Sequence, residues 1–170
     1  MSSLIIRRFP DPLLKQLTRP LRRMDGPAGQ LIDGMIKTMR RHPRCVGLAA
    51  PQVGSDLRIA VMDASVHPRA GKSHGLIVLV NPQIVEHQGR VLQREGCLSV
   101  PDFTGNVYRA QRVRLTAWDQ SGAAQAFWLE GFEAVIAQHE VDHLNGKLFL
   151  DRVANIATDV FKRKNYGTAG

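Results

Sequence analysis

The sequence predicts an α+β fold in which antiparallel β-sheets pack around a central helix that carries an H-E-x-x-H motif. Three observations lead there. Short apolar, β-branched segments fill the middle of the chain, a strongly periodic helical segment comes late, and strands do not alternate with helices as parallel units would require. The chain has 170 residues, 44% hydrophobic and 22% charged, which suits one domain, residues 1–170, with a substantial core.

The elements follow in order. "FPDPLLKQLTRPL" reads as a loop, with prolines at 10, 12 and 20. In "DGPAGQLIDGMIKTMRRHP", Leu31, Ile32, Met35, Ile36 and Met39 recur at helical spacing, and Pro43 follows the end. "LRIAVMD" and "LIVLVNP" read as short strands. His67, His74 and His87 lie in or beside polar, turn-like stretches and are expected as exposed loop histidines. "RVRLTAWD" alternates, with Val113, Leu115 and Ala117 facing one way. "DQSG" supplies a turn and "AAQAFWLE" returns as the second strand. From Gly131 the period changes: Phe132, Val135, Ile136, His139, Glu140, His143 and Leu144 share one broad helical stripe, and Asn145-Gly146 is a helix stop. The last ~17 residues, including "FKRKNYG", read as a weakly patterned basic tail. Trp118 and Trp128 are expected to pack rather than to act.

The net charge is +8, which suits RNA, acidic partners or simply a solvated basic surface. No apolar run approaches the ~18 residues of a membrane span, and the start lacks the pattern of a secretory signal. A cytoplasmic protein without membrane or DNA partners is the expectation. The cysteines are Cys45 and Cys97. One disulfide is arithmetically possible; a reducing compartment favours reactive or metal-bound thiols.

Three segments carry chemistry. In "QHEVDHLNG", His139 and His143 stand four apart, so both rings of a helix reach one ion, and Glu140 can meet a water beside it. A catalytic site of this type needs a third protein ligand and an open position. Downstream the chain offers Asp151 and Asp159; upstream, "EGCLS" offers Cys97, which alone could equally be a small buried apolar residue. "VGLAAPQVG" brings small residues up to Pro51 and Gln52. It suits either a tight turn or the close approach of a substrate backbone, with the Gln52 amide as a donor.

"GLAAPQ", "EGCLS" and "QHEVDH", in that order, resemble the three signature motifs of the peptide deformylases. "RRFPDPLLKQLTRPL", "LVNPQIV" and "GKLFLDR" extend the resemblance over residues 4–153. It implies removal of the formyl group from the N-terminal formylmethionine of new polypeptides, with release of formate. It also implies that Cys97, His139 and His143 bind one divalent metal, with water in the fourth position. Glu140 acts as general base and then acid, and the Gln52 amide and Leu98 N–H form an oxyanion hole. Gly47 lines the site and pairs with the substrate backbone, while Ile136 and Val135 are candidates for the methionine pocket. The implied metal in the cell is iron, Fe(2+), with Zn(2+), Ni(2+) or Co(2+) as substitutes. The partners are nascent formylated polypeptides and, through the basic charge, the ribosome. Asp142 is expected to orient the helix through an ion pair, with Arg109 as partner.

Two departures stand out. Cys45 occupies a position, two before Gly47, where many members of that family have glycine, and a charged residue carried by some members is absent around Phe103 to Gly105. Two other readings remain at this point: a zinc peptidase with a downstream third ligand, and a non-catalytic RNA- or ribosome-binding module.

Overall fold

The computed structural model describes residues 4–164. Its first long element is α1 (Gly26–Arg41), capped by the Asp25 carboxylate, which accepts from the Ala28 N–H at 2.8 Å. Ile32, Met35 and Met39 are fully covered, as their spacing predicts, while Leu31 and Ile36 flank the stripe half-buried.

Eight strands follow: β1 (Gly47–Ala49), β2 (Ile59–Asp63), β3 (Leu76–Gln88), β4 (Val91–Cys97), β5 (Val100–Arg109), β6 (Arg112–Trp118), β7 (Ala124–Glu130) and β8 (Val160–Lys162). They form two antiparallel sheets, one in the order β1-β2-β3-β6-β7 and one in the order β4-β5-β8. The helix α2 (Gly131–Leu144) follows β7 directly.

Helix α2 differs from the single stripe that its sequence suggests. Eleven of its 14 residues are buried, including Glu133, Gln138 and Asp142, so it is covered on all sides. Ala134, Ile136, Ala137, Val141 and Leu144 pack with β2, β3, β6 and β7 in the main core. The helix ends as expected at Asn145-Gly146. Gly146 has φ +70°, and a Cβ there would lie 2.7 Å from the Lys15 carbonyl.

Three other expectations change. Strand β3 runs on past Pro82, because a register shift between Val80 and Gln83 absorbs the missing N–H. Asn81 stands there at φ +53° and its side chain bonds both the N–H and the carbonyl of Leu21. His87 is therefore exposed on a strand, not in a loop. Part of the presumed tail also folds: Ile156–Asp159 form a helical turn, α3, and β8 pairs Val160 and Phe161 with Gly105 and Thr104 of β5. Residues 165–170, the end of the basic tail, lie outside the described residues.

The N-terminal loop is a strap. Arg7 N–H donates to the Gln52 carbonyl at 2.7 Å, Phe9 N–H to the Ser99 carbonyl at 2.8 Å, and Thr18 Oγ1 to the Leu144 carbonyl at 2.7 Å. One segment thus ties together all three chemical motifs. Among the described residues, no helix is long and apolar enough to cross a membrane.

Candidate metal centre

Cys97 is the last residue of β4, where the pairing with β5 jumps from Gly96–Thr104 to Cys97–Val100. Such an irregularity re-aims a side chain, and the thiol turns toward α2. Its Sγ lies 3.3 Å from Nε2 of His143. One ligand atom each from Cys97, His139 and His143 falls within 4.8 Å of the others. Donors at the usual 2.0–2.3 Å from a tetrahedral ion stand about 3.3–3.8 Å apart, so the group needs only a small contraction to hold one. The imidazoles present different edges, with ring planes 73° apart and centroids at 4.9 Å. Asp151 is engaged elsewhere, by Lys15 and the Leu148 N–H, and Asp159 by Asn155. Among the described residues the group that could hold a metal takes its third member from upstream, Cys97, and not from Asp151 or Asp159.

The centre is braced from behind. Nδ1 of His139 donates to Oε2 of Glu95 at 2.8 Å, which leaves Nε2 free to bind a cation. Arg109 grips Glu95 with two hydrogen bonds, at 2.6 and 3.0 Å, and reaches Asp142 at 2.7 Å. Arg152 closes the chain on Asp142 at 2.7 and 3.1 Å. The expected Arg109–Asp142 pair is present; the roles of Glu95 and Arg152 were not legible beforehand. Burial pushes the Glu95 carboxyl up, but Arg109 and His139 outweigh it and hold the group at about 2. Burial likewise raises the Cys97 thiol, yet the charge of His143 and hydrogen bonds from both histidines bring it well below the ordinary thiol value. A buried thiolate beside two imidazoles is a soft donor set that fits a divalent transition metal.

Glu140 projects into the same space. Burial raises its carboxyl to about 7, against the opposing charges of His139 and His143. Among the described residues, its buried Oε2 has no hydrogen-bond partner, and neither has Nδ1 of His143. An orphaned carboxylate oxygen beside a ligand triad is placed to take up a proton.

Gly47 explains how Glu140 fits. A Cβ at position 47 would stand 2.8 Å from Cδ and 3.0 Å from Cγ of Glu140, so any larger residue there would displace the carboxylate from its present position. Gln52 sits in a 3-10 turn, Ala50–Val53. Its Oε1 accepts from the Ala49 N–H at 2.9 Å. That turns Nε2 toward Cys97 Sγ at 3.3 Å and Ser99 Oγ at 3.2 Å. Leu98 occupies the turn right after Cys97.

These groups share one cleft of about 440 Å³, lined among others by Gly47, Gln52, Leu98, Val135, Ile136 and Glu140. Cys45 lines it too. Its thiol donates to the Gly47 carbonyl at 3.2 Å, and burial pushes its pKa up to about 12. Both cysteines are free.

The chain is similar to known proteins over nearly its whole length. The family model described as Polypeptide deformylase matches residues 3–159. The peptide deformylase of Syntrophobacter fumaroxidans is 43% identical over 164 residues, covering 96% of this chain and 94% of the relative. A crystal structure of a peptide deformylase from Legionella pneumophila superposes with a TM-score of 0.83 at 39% identity, covering 91% of this chain and 88% of that one. A Met-Ala-Ser-bound class I type b peptide deformylase from Acinetobacter baumannii gives 0.82 at 36% identity, covering 89% and 100%. With a match that spans nearly the whole chain and a metal-binding triad in place, the chain belongs to the polypeptide deformylase family, hydrolases that remove the N-formyl group from new polypeptides.

Proposed function

We propose that residues 1–170 form one catalytic unit in which Cys97, His139 and His143 hold the metal and Glu140 moves the proton. The observation that carries the reading is the unpartnered Oε2 of Glu140, buried beside three converging ligand atoms. When bound, the divalent cation supplies Lewis acidity, which brings the pKa of water from 15.7 toward ~7. The chain's own residues do the rest. Glu140 takes a proton from the water that attacks the formyl carbon. It returns that proton to the amine nitrogen as the C–N bond breaks and formate leaves. The Gln52 amide and the Leu98 N–H donate to the developing oxyanion, each contributing on the order of 3 kcal/mol.

Strand β1 is at the edge of its sheet, and so is β4. The cleft runs past both, so an extended peptide fits between them with its backbone against Gly47. Ile136, at 4% exposure, closes the apolar wall for the methionine side chain. The Acinetobacter baumannii structure was solved with Met-Ala-Ser, the peptide that deformylation of formyl-Met-Ala-Ser would leave. The thiolate ligand suits Fe(2+) in the cell, with Zn(2+), Ni(2+) or Co(2+) able to replace it. The enzyme works in the cytoplasm, and its +8 charge draws it to the ribosome, where its substrates emerge.

The deciding experiment incubates the anaerobically iron-loaded protein with formyl-Met-Ala-Ser and with unformylated peptides. Formate from the first and no backbone cleavage of the others is the expected result. Cleavage of internal peptide bonds would instead make it a peptidase. Ribosome binding is tested by cosedimentation across a salt series; binding that is absent at low salt, or indifferent to salt, removes that part.

A further inference from the structure

The mouth of the metal cleft is cationic. Arg44, Arg69, Arg94, Arg163 and Lys164 line it, and all five are exposed. Among the described residues, none of the five has a carboxylate within ion-pair distance. The two acids of the same cleft, Glu95 and Glu140, are buried in its floor at 6% and 3% exposure. Glu95 is already neutralised by Arg109 and His139. The rim therefore presents positive charge that nothing described in the protein cancels.

Several of these cations are held in place. The Arg69 guanidinium lies 4.6 Å from the ring centroid of Phe132, and that of Arg94 lies 3.5 Å from the centroid of Phe161. Arg94 also donates from Nε to Asn106 at 2.8 Å, leaving its outer nitrogens for a ligand. Arg163 reaches the backbone at Gly96, where a Cβ would come within 3.4 Å of its Cζ. Cations fixed this way lose little freedom on binding.

The charges stand on both banks. Arg44 precedes β1, and Arg69 follows the turn after β2, so both belong to connections of the five-stranded sheet. Arg94 is in β4, and Arg163 and Lys164 follow β8, so they belong to the three-stranded sheet. An extended chain rises ~3.3 Å per residue and sends successive side chains to opposite sides. Residues just beyond the methionine thus pass along a rim that carries positive charge on both of its sheets.

We propose that this rim selects formylated polypeptides whose two residues after the formylmethionine are acidic. The inference rests on the reading of the cleft as the deformylation site. A low-dielectric cleft walled by one sign of charge focuses its field on an incoming ligand of the other sign. Added salt screens such an effect over about 8–10 Å.

The test compares kcat/KM for three C-terminally amidated peptides: formyl-Met-Asp-Glu, formyl-Met-Ala-Ser and formyl-Met-Lys-Arg. The expected order is acidic, neutral, basic, with about tenfold between the extremes at low ionic strength. The gap is carried mainly by KM and shrinks as salt is added. Arg69→Gln and, separately, the pair Arg94→Gln with Arg163→Gln should each lower the acidic-to-basic ratio. Turnover of all three peptides at equal kcat/KM overturns the inference and leaves deformylation intact. A preference that survives both sets of substitutions overturns the assignment to these arginines. Equal peptide rates together with competitive inhibition by oligouridylate would give the rim to RNA and also overturn it. Turnover of none would overturn the deformylation reading and the inference with it.

Discussion

His139 and Glu95 share a hydrogen bond of 2.8 Å, from Nδ1 to a carboxylate that Arg109 grips on its other side. This bond makes the position of one candidate metal ligand depend on an ion-pair chain that reaches Asp142 on α2 and then the exposed Arg152. The brace fixes the ring and its tautomer before any metal arrives. It also links β4, which carries Glu95 and Cys97, to α2, which carries both histidines.

Glu95→Gln keeps the shape of the brace and removes its charge. His139 retains an acceptor, but Arg109 loses one of its two carboxylates. Metal affinity should fall about 10- to 100-fold, the usual effect of changing a partner behind a metal ligand. The folded state should lose roughly 1–3 kcal/mol. Competitive chelation gives the first quantity and urea unfolding of the metal-free protein the second. A drop in stability with unchanged metal affinity would make Glu95 a structural group only.

Gly47→Ala tests the close approach to Glu140. The added methyl would meet the carboxylate of a side chain that is 3% exposed, so Glu140 must shift to make room. A displacement of order 1 Å at the proton-transfer group costs about 10²-fold in rate. The kcat should fall by about that factor while the protein still holds one metal per chain. A loss of less than about twofold would show that the carboxylate can step aside.

How much of this was legible beforehand follows from how locally each feature is encoded. The α1 stripe, the β6–β7 hairpin and the stop at Asn145-Gly146 depend on neighbours in sequence, and their spacing shows them. The candidate ligands Cys97, His139 and His143 lie in short motifs, and the fold brings them together. Features that rest on distant partners were hidden. Glu133 looks like a solvated charge on a helix surface, yet it is buried because it meets His74. Asp142 has the expected Arg109 partner, but its second partner, Arg152, lies beyond the helix and leaves no local sign. The passage of β3 through Pro82 depends on a register shift against β6, and β8 depends on an open edge of β5. Neither leaves a periodic mark.

Cys45 gives a prediction that separates the two thiols. Burial and the nearby charge of Glu140 push its pKa up to about 12, so it stays protonated at neutral pH and is a poor nucleophile. Iodoacetamide should label it slowly in the folded, metal-loaded protein at pH 8 and rapidly once urea unfolds the chain, as mass mapping of the peptide will show. Cys45→Gly should leave the metal content unchanged and alter turnover by less than about tenfold. Cys97→Ala should lose the metal and the activity together. Loss of metal from Cys45→Gly would move the ligand assignment to Cys45.

Glu140 carries the sharpest prediction. It is buried at 3% exposure, its carboxyl rises to about 7 through burial, and its Oε2 has no partner among the described residues. A structural glutamate would be paired, as Glu95 and Glu133 are. Glu140→Gln preserves volume and helix propensity but removes the ability to accept a proton at neutral pH. Metal should remain near one per chain, because the ligand atoms of Cys97, His139 and His143 are untouched. Formylated peptide should still bind, because the cleft wall at Gly47 and Ile136 is unchanged. The kcat should fall by at least the ~10²–10⁴ that positioned acid–base groups contribute. Metal content and kcat are measured on one preparation, and peptide affinity by titration of the same sample. Full activity with full metal would show that another group moves the proton. Loss of metal along with activity would show that the carboxylate holds the centre together.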